Sequence, residues 1–204
     1  MAGGGLPTPG RRKEIDLMNI KEQIEAFSPW NEQEARDREL LLGWLDSGGE
    51  LFTRENAAAH FTVSAWVVNP ERTHVLMAYH NIYNSWAWLG GHADGERDLL
   101  KVALKEAREE SGIAQVAPVT QMPISLEILT VNGHEKKGKY VSCHLHLNLT
   151  YLLEAPMDQD LAAKPDENSG VAWIPLEEIG NYSTETWFIR RIYSKLTEKV
   201  RNMV

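Results

Sequence analysis

Three glutamates, Glu106, Glu109 and Glu110, stand three and four residues apart near the end of the stretch "WLGGHADGERDLLKVALKEAREESGI", residues 88–113. On a helix that spacing places them on one face. Glutamates on a solvated face are ordinary. Yet like charges so placed repel by roughly a few tenths of a kcal/mol per pair, which the neighbouring Lys105 and Arg108 offset only in part. Hard divalent cations such as Mg²⁺ take oxygen ligands in octahedral geometry, and carboxylates sharing a helical face supply them. The preceding Gly90 and Gly91 let backbone approach a ligand closely. Helix face and glycine loop together point to metal-assisted chemistry on an anionic substrate.

The element that must hold these carboxylates is a helix over residues 98–111, a span rich in Leu, Ala, Lys, Glu and Arg without Pro or Gly. Asp98 suits the positive end of its dipole and Gly112 suits a left-handed stop. Leu100, Ala103, Leu104 and Ala107 form the face expected to meet the core. Around it, period-two patterns predict strands in "HFTVSAWVVN" and "THVLMAYH", joined by a "PER" turn between antiparallel neighbours. Further strands are expected in "WAWLGG", "ISLEILTV", "YVSCHLHLNLTYLLEA" and "SGVAWIPL", and an amphipathic helix in "STETWFIRRIYSKLTEKVRNM". Interleaved strands and helices indicate an α/β layered domain. Upstream, Leu17, Ile20, Ile24 and Phe27 form one helical stripe. A second helix is expected to start with Ser28 as N-cap and Pro29 at the first helical position, with Leu40, Leu41, Trp44 and Leu45 as its apolar face and Gly48 past its end. This pair is too apolar to stand alone, and the short link to His60 favours docking on the same chain. The expected organisation is a flexible leader at 1–15, a helical extension at 16–56 and the main domain at 57–204.

Composition narrows the function classes. A chain of 204 residues, 43% hydrophobic and 25% charged, can bury a core and remain soluble. No apolar run is long enough for a bilayer helix, and the basic start is not followed by the apolar stretch of a secretory signal. The single cysteine, Cys143, excludes an internal disulfide framework and fits a reducing cytoplasm. A net charge of -8 argues against coating nucleic acid. It leaves small phosphorylated substrates open, because a metal ion can bridge an acidic site to an anion.

The stretch resembles the signature box of the Nudix (MutT-like) hydrolases, whose pattern ends in Arg-Glu-aliphatic-x-Glu-Glu-x-Gly-aliphatic. "KEAREESGI" matches at Glu106, Ala107, Glu109, Glu110, Gly112 and Ile113, and Gly91 occupies the opening glycine. Lys105 replaces the usual arginine. Arg97 stands where the first glutamate is expected, with Glu96 one place earlier, so a pairing of Glu96 with Lys105 is expected through a loop shortened by one residue. The resemblance implies a Nudix-type α/β/α sandwich with a mixed sheet. It also implies a hydrolase that cleaves a pyrophosphate bond in a nucleoside diphosphate linked to another moiety, with Mg²⁺ or Mn²⁺ as cofactor. By the same resemblance, Gly90 (through its carbonyl), Glu106, Glu109 and Glu110 hold the metal. Glu167 sits where the family often has an acidic residue ahead of a tryptophan, with Asp166 beside it. Glu109, Glu110 or Glu167 takes the proton from water, and the sequence does not separate those roles.

His80 and His92 are weaker candidates for substrate contact near the cleft. His144 and His146 alternate on one strand and so share a face, as a metal pair or as hydrogen-bonding partners within the sheet. Trp86 and Trp88 either stack a base or pack a strand against the N-terminal helices. Cys143 is expected to be a buried strand residue, and "HEKKGK" a hairpin tip. The family's proline and tyrosine markers for ADP-ribose and dinucleoside polyphosphates are replaced by Ile128 and the residues after it, which leaves the substrate open. Two alternatives share the fold, an isomerase like isopentenyl diphosphate isomerase and a non-catalytic nucleotide sensor. The first relies on a cysteine ahead of the box and the second tends to lose box glutamates. A small nucleotide-type substrate is the expected partner, with no membrane, and a monomer or homodimer.

Overall fold

A computed structural model describes residues 18–136 and 138–203. Leu17 and the leader at 1–15 lie outside the described residues. The chain begins with α1 (Ile20–Ala26) and α2 (Glu32–Asp46). It continues through β1 (Ala59–Val68), β2 (His74–His80), β3 (Ser85–Ala87) and β4 (Leu89–His92) into α3 (Leu99–Ser111). Then come β5 (Ala117–Pro118), β6 (Ser125–Val131), β7 (His134–Lys136), β8 (Lys139–Val141), β9 (His144–Glu154) and β10 (Asn168–Pro175). The C-terminal region is α4 (Ile179–Tyr182), α5 (Thr186–Phe188), a π-helical turn (Ile189–Tyr193) and α6 (Ser194–Asn202).

The strands form an eight-stranded mixed sheet with the path β10-β2-β1-β9-β5, while β3 pairs with β2, β4 with β1 and β6 with β9. The β1–β9 pair is parallel and runs from Ala59↔Leu145 to Val68↔Glu154. This makes β1 central, and all of its residues are buried. Alternation along β1 divides them between two cores. Phe61, Val63, Ala65 and Val67 join Leu99, Ala103 and Ala107 of α3 and Ile24 and Leu41 of the N-terminal helices. Trp66 and Val68 meet Ile192, Leu196 and Val200 of the C-terminal helices. The sheet is therefore covered on both faces, the α/β/α arrangement expected.

The N-terminal helices dock on their own chain, as their apolar stripe requires. Their capping differs from expectation. α2 starts at Glu32 with Asn31 as N-cap, its side chain accepting from the Glu34 amide at 3.0 Å. The Glu34 carboxylate reaches back to the Trp30 amide at 2.7 Å. That reciprocal arrangement displaces Ser28 and Pro29 from the helix start. Leu41 is buried, but Leu40 faces solvent. Glu34 then anchors a buried ionic network, meeting Lys199 at 2.5 Å and Lys195 at 3.1 Å, while Lys195 also reaches Glu127 at 3.1 Å. Burial pushes the Glu34 carboxyl up, but the two ammoniums outweigh it and the net shift is downward. Burial pulls Lys199 down by more than its carboxylate partners restore.

Three further expectations change. Trp86 and Trp88 pack edge-on against Tyr182, Phe188 and Tyr193, under the C-terminal helices rather than the N-terminal pair. Cys143 is exposed, in a break between β8 and β9, where its sulfur accepts from the Gly133 amide at 3.1 Å. A break at Ser142 and Cys143 divides the strand expected over "YVSCHLHLNLTYLLEA" into β8, which pairs with β7, and β9.

Candidate functional site

The helix carrying the three glutamates is α3, with the Asp98 side chain accepting from the Lys101 amide at 3.1 Å and Gly112 closing it at φ 77°. Its buried face includes Ala103 and Ala107, which sets the roll of the helix on the sheet. Glu106 and Glu110, one turn apart, are thereby turned toward β4 and buried, while Glu109 projects outward. The Glu110 carboxylate accepts the Gly90 amide at 2.8 Å. A Cβ on Gly91 would lie 2.6 Å from the Glu106 carboxyl carbon, and one on Gly90 would lie 2.2 Å from the Val63 carbonyl oxygen. Both glycines are required by close approach, one to the carboxylate and one to the neighbouring strand.

The loop ahead of β10 closes the other side. Lys164 pairs with Glu167 at 2.9 Å and stands 4.0 Å from Glu109. Lys105 bridges Glu106 at 3.0 Å and Glu109 at 3.4 Å. Buried Asn168 locks the loop to the helix, donating to the Glu110 carbonyl at 3.1 Å and accepting from the Lys164 amide at 3.0 Å. Lys164 and Asn168 were missed in sequence, where a lysine and an asparagine beside a strand give no signal of what lies about sixty residues upstream on α3. His80 ends β2 opposite Asn168, and the next residue's amide donates to the Glu167 carbonyl at 3.2 Å. His80 is therefore brought to the rim of the carboxylate cluster. His92 follows Gly91 and leaves by the opposite face, where its ring meets those of His60 and His146.

The expected Glu96–Lys105 pair does not form. Glu96 accepts from the amides of Arg97 and Asp98 and pairs with Lys101, while Arg97 reaches Glu50 at 3.1 Å and lies over the Phe52 ring. Positive φ at Asp94 and Gly95 turns the chain so that Glu96 caps the start of α3, one turn short of Lys105. The carboxylate face is unaffected.

Electrostatically the cluster holds four glutamates against two lysines. Burial, reinforced by the charges of Glu106 and Glu167, pushes the Glu110 carboxyl up to about 8, against the Gly90 hydrogen bond and Lys164. An all-oxygen donor set with excess negative charge suits a hard dication. Glu106, Glu109, Glu110 and the Gly90 backbone fit such an ion.

The sequence matches the family model described as "NUDIX domain" over residues 58–196. No curated protein sequence matches. Among solved structures, the chain is similar to a NUDIX-family hydrolase from Clostridium perfringens, with 20% identity, coverage of 71% of this chain and 98% of that chain, and a TM-score of 0.49. It is also similar to the E. coli dihydroneopterin triphosphate pyrophosphohydrolase, with 13% identity, coverage of 67% and 94%, and a TM-score of 0.50. A C. elegans Ap4A hydrolase shares 16% identity over 70% of this chain and 93% of that chain, with a TM-score of 0.43. At such identities the likeness concerns the fold alone.

Proposed function

The chain belongs to the Nudix family of hydrolases, and from that premise we propose that it cleaves a pyrophosphate bond in a nucleoside diphosphate linked to a further group. The observation behind this reading is the convergence of Glu106 and Glu110 on the Gly90–Gly91 backbone, with Glu109 and Glu167 joined beside them through Lys164. Glu106, Glu109, Glu110 and the Gly90 carbonyl hold Mg²⁺ or Mn²⁺. When bound, such an ion neutralises charge on the phosphate oxygens and makes water more acidic.

The protein's own groups do the rest. Gly90 and Gly91, lacking side chains, leave room for phosphates beside β4. The Gly90 amide fixes one Glu110 oxygen at 2.8 Å and so orients the other. Lys105 and Lys164, already among the carboxylates, counter charge on the departing phosphate. Glu167 lies off the box helix, is half exposed and pairs with Lys164 at 2.9 Å. It is assigned to take the proton from water, with Glu109 and Glu110 kept for the cation. His80 borders the entrance.

No helix among the described residues is long and apolar enough to cross a membrane. A cytoplasmic location and a monomeric or dimeric state belong to the same proposal, with an exposed free Cys143 in keeping with reducing surroundings. The test is release of phosphate or nucleotide from a panel of nucleoside diphosphate derivatives, each with Mg²⁺ and with Mn²⁺. Turnover of at least one derivative that vanishes in chelator is expected. An inert panel with both metals would remove the hydrolase reading in favour of a sensor.

A further inference from the structure

Four histidines from three strands meet on the sheet face opposite the box helix. The parallel register sets His60 of β1 beside His146 of β9, and β4 brings His92 opposite Thr62. Ring centroids lie 5.2 Å apart for His60–His92, 5.2 Å for His60–His146 and 4.9 Å for His92–His146. His144 adds contacts of 4.9 Å to His60 and 5.1 Å to His146. One ligand nitrogen from each of His60, His92 and His146 falls within 4.8 Å of the others. The Nε2 atoms of His144 and His146 are 3.3 Å apart.

Two of the rings have their tautomers set by backbone. His60 Nδ1 is 3.1 Å from the Asn56 carbonyl, and His144 Nδ1 is 2.9 Å from the Ser142 carbonyl. A carbonyl only accepts, so each Nδ1 bears the hydrogen, and each neutral ring presents a bare lone pair at Nε2. His60 is 4% exposed, and its Nε2 has no hydrogen-bond partner among the described residues. Buried polar atoms are nearly always satisfied, so an unpartnered lone pair on a ring within 5.2 Å of three other imidazoles asks for an explanation.

We propose that His60, His92, His144 and His146 form a second metal site, for a transition-metal dication of the zinc class. Neutral imidazoles suit zinc, cobalt, nickel or copper and not magnesium. The Nδ1–H groups held by carbonyls are the usual outer support of a metal-bound histidine. Two nitrogens on a tetrahedral metal, each about 2.0–2.1 Å from it, lie roughly 3.3–3.4 Å apart, the separation His144 and His146 already have. The wider trio closes by side-chain rotation. Four protein ligands make this a closed, structural site, clamping β1, β9 and β4 together. Because β4 also bears Gly90 and Gly91, the clamp braces the strand against which the box glutamates rest. The all-nitrogen and all-oxygen sites would sort two different cations by ligand softness.

The test uses the full chain, stripped with chelator and dialysed, then titrated with Zn²⁺ and separately with Co²⁺ in excess Mg²⁺. One tightly bound Zn²⁺ per chain, a higher melting temperature and the intense visible bands of tetrahedral Co²⁺ are expected. His60→Ala or His146→Ala should weaken Zn²⁺ by more than the roughly 10–100-fold that loss of an outer partner costs. A Glu109→Gln, Glu110→Gln double variant should keep its Zn²⁺. Should a histidine variant fail to fold, the wild-type Co²⁺ spectrum still decides, because an oxygen site gives only weak octahedral bands. Absence of stoichiometric Zn²⁺, weak octahedral bands alone, or binding lost with the glutamates and kept without the histidines would overturn the proposal.

Discussion

Replacing Glu34 by Ala would strand the Lys199 ammonium inside the protein, while Lys195 keeps Glu127 as its partner. Glu34 and Glu127 have fully buried side chains, and Lys195 and Lys199 are 3% and 6% exposed, so the network is two charges against two with almost no water. Removing one member of such a set leaves an uncompensated buried charge and costs about 3–5 kcal/mol. At about 2–4 °C per kcal/mol for a chain of this size, the melting temperature should fall by roughly 6–20 °C. Urea unfolding of wild type, Glu34→Ala, Lys199→Met and the Glu34→Ala, Lys199→Met double variant forms a cycle. The double variant keeps Lys195 with Glu127 and restores neutrality, so it should recover at least about 1 kcal/mol relative to the sum of the singles. Acid adds a second readout. Glu34 is held below its ordinary value of 4.5, so its contribution is present above that pH and is lost as pH falls through the folded value. The Glu34 variants should therefore lose less stability than wild type on acidification from about pH 5. A cost below about 1 kcal/mol, or strict additivity in the cycle, would refute a tightly coupled buried network.

Glu109→Gln and Glu110→Gln should each lower turnover by roughly 10²–10³-fold, the scale of losing one group that stabilises developing charge, with far-UV circular dichroism unchanged; full turnover of either in excess chelator would rule out the metal reading. Glu167→Gln should lower kcat with little change in KM, measured with the best substrate of the panel. Gly91→Ala meets a movable carboxylate and should reduce turnover more than stability, whereas Gly90→Ala meets strand backbone and should cost about 1–3 kcal/mol or more on thermal melting. Deleting residues 1–46 removes Ile24 and Leu41 from the core and Glu34 from its lysines, so light scattering should show an aggregated product.

Features set within one segment were legible in the sequence. The box helix runs between Asp98 and Gly112 as expected, because an N-cap, a left-handed stop and a 3.6-residue period act over neighbouring residues. The shared face of Glu106 and Glu110 follows from the same geometry. The Glu96–Lys105 expectation failed through loop conformation, since a pattern of residue types does not specify the positive φ values at Asp94 and Gly95 that turn Glu96 onto Lys101. Trp86 and Trp88 were known to share a face, but which helices cover that face is a property of the packed layers.

What the sequence alone determined is the local chemistry: glutamates in helical phase, two glycines before them, His144 and His146 one strand period apart. The tertiary structure decided which distant groups complete each cluster. Lys164, Glu167 and Asn168 come to the carboxylates through the β10–β2 pairing and a loop folded onto α3. His60 and His92 join the β9 histidines only because β1 lies parallel to β9 and antiparallel to β4 in one register. A one-residue slip would send His60 to the other face, and nothing within any single strand states the register of its neighbours, which is settled by burying both faces of the sheet at once.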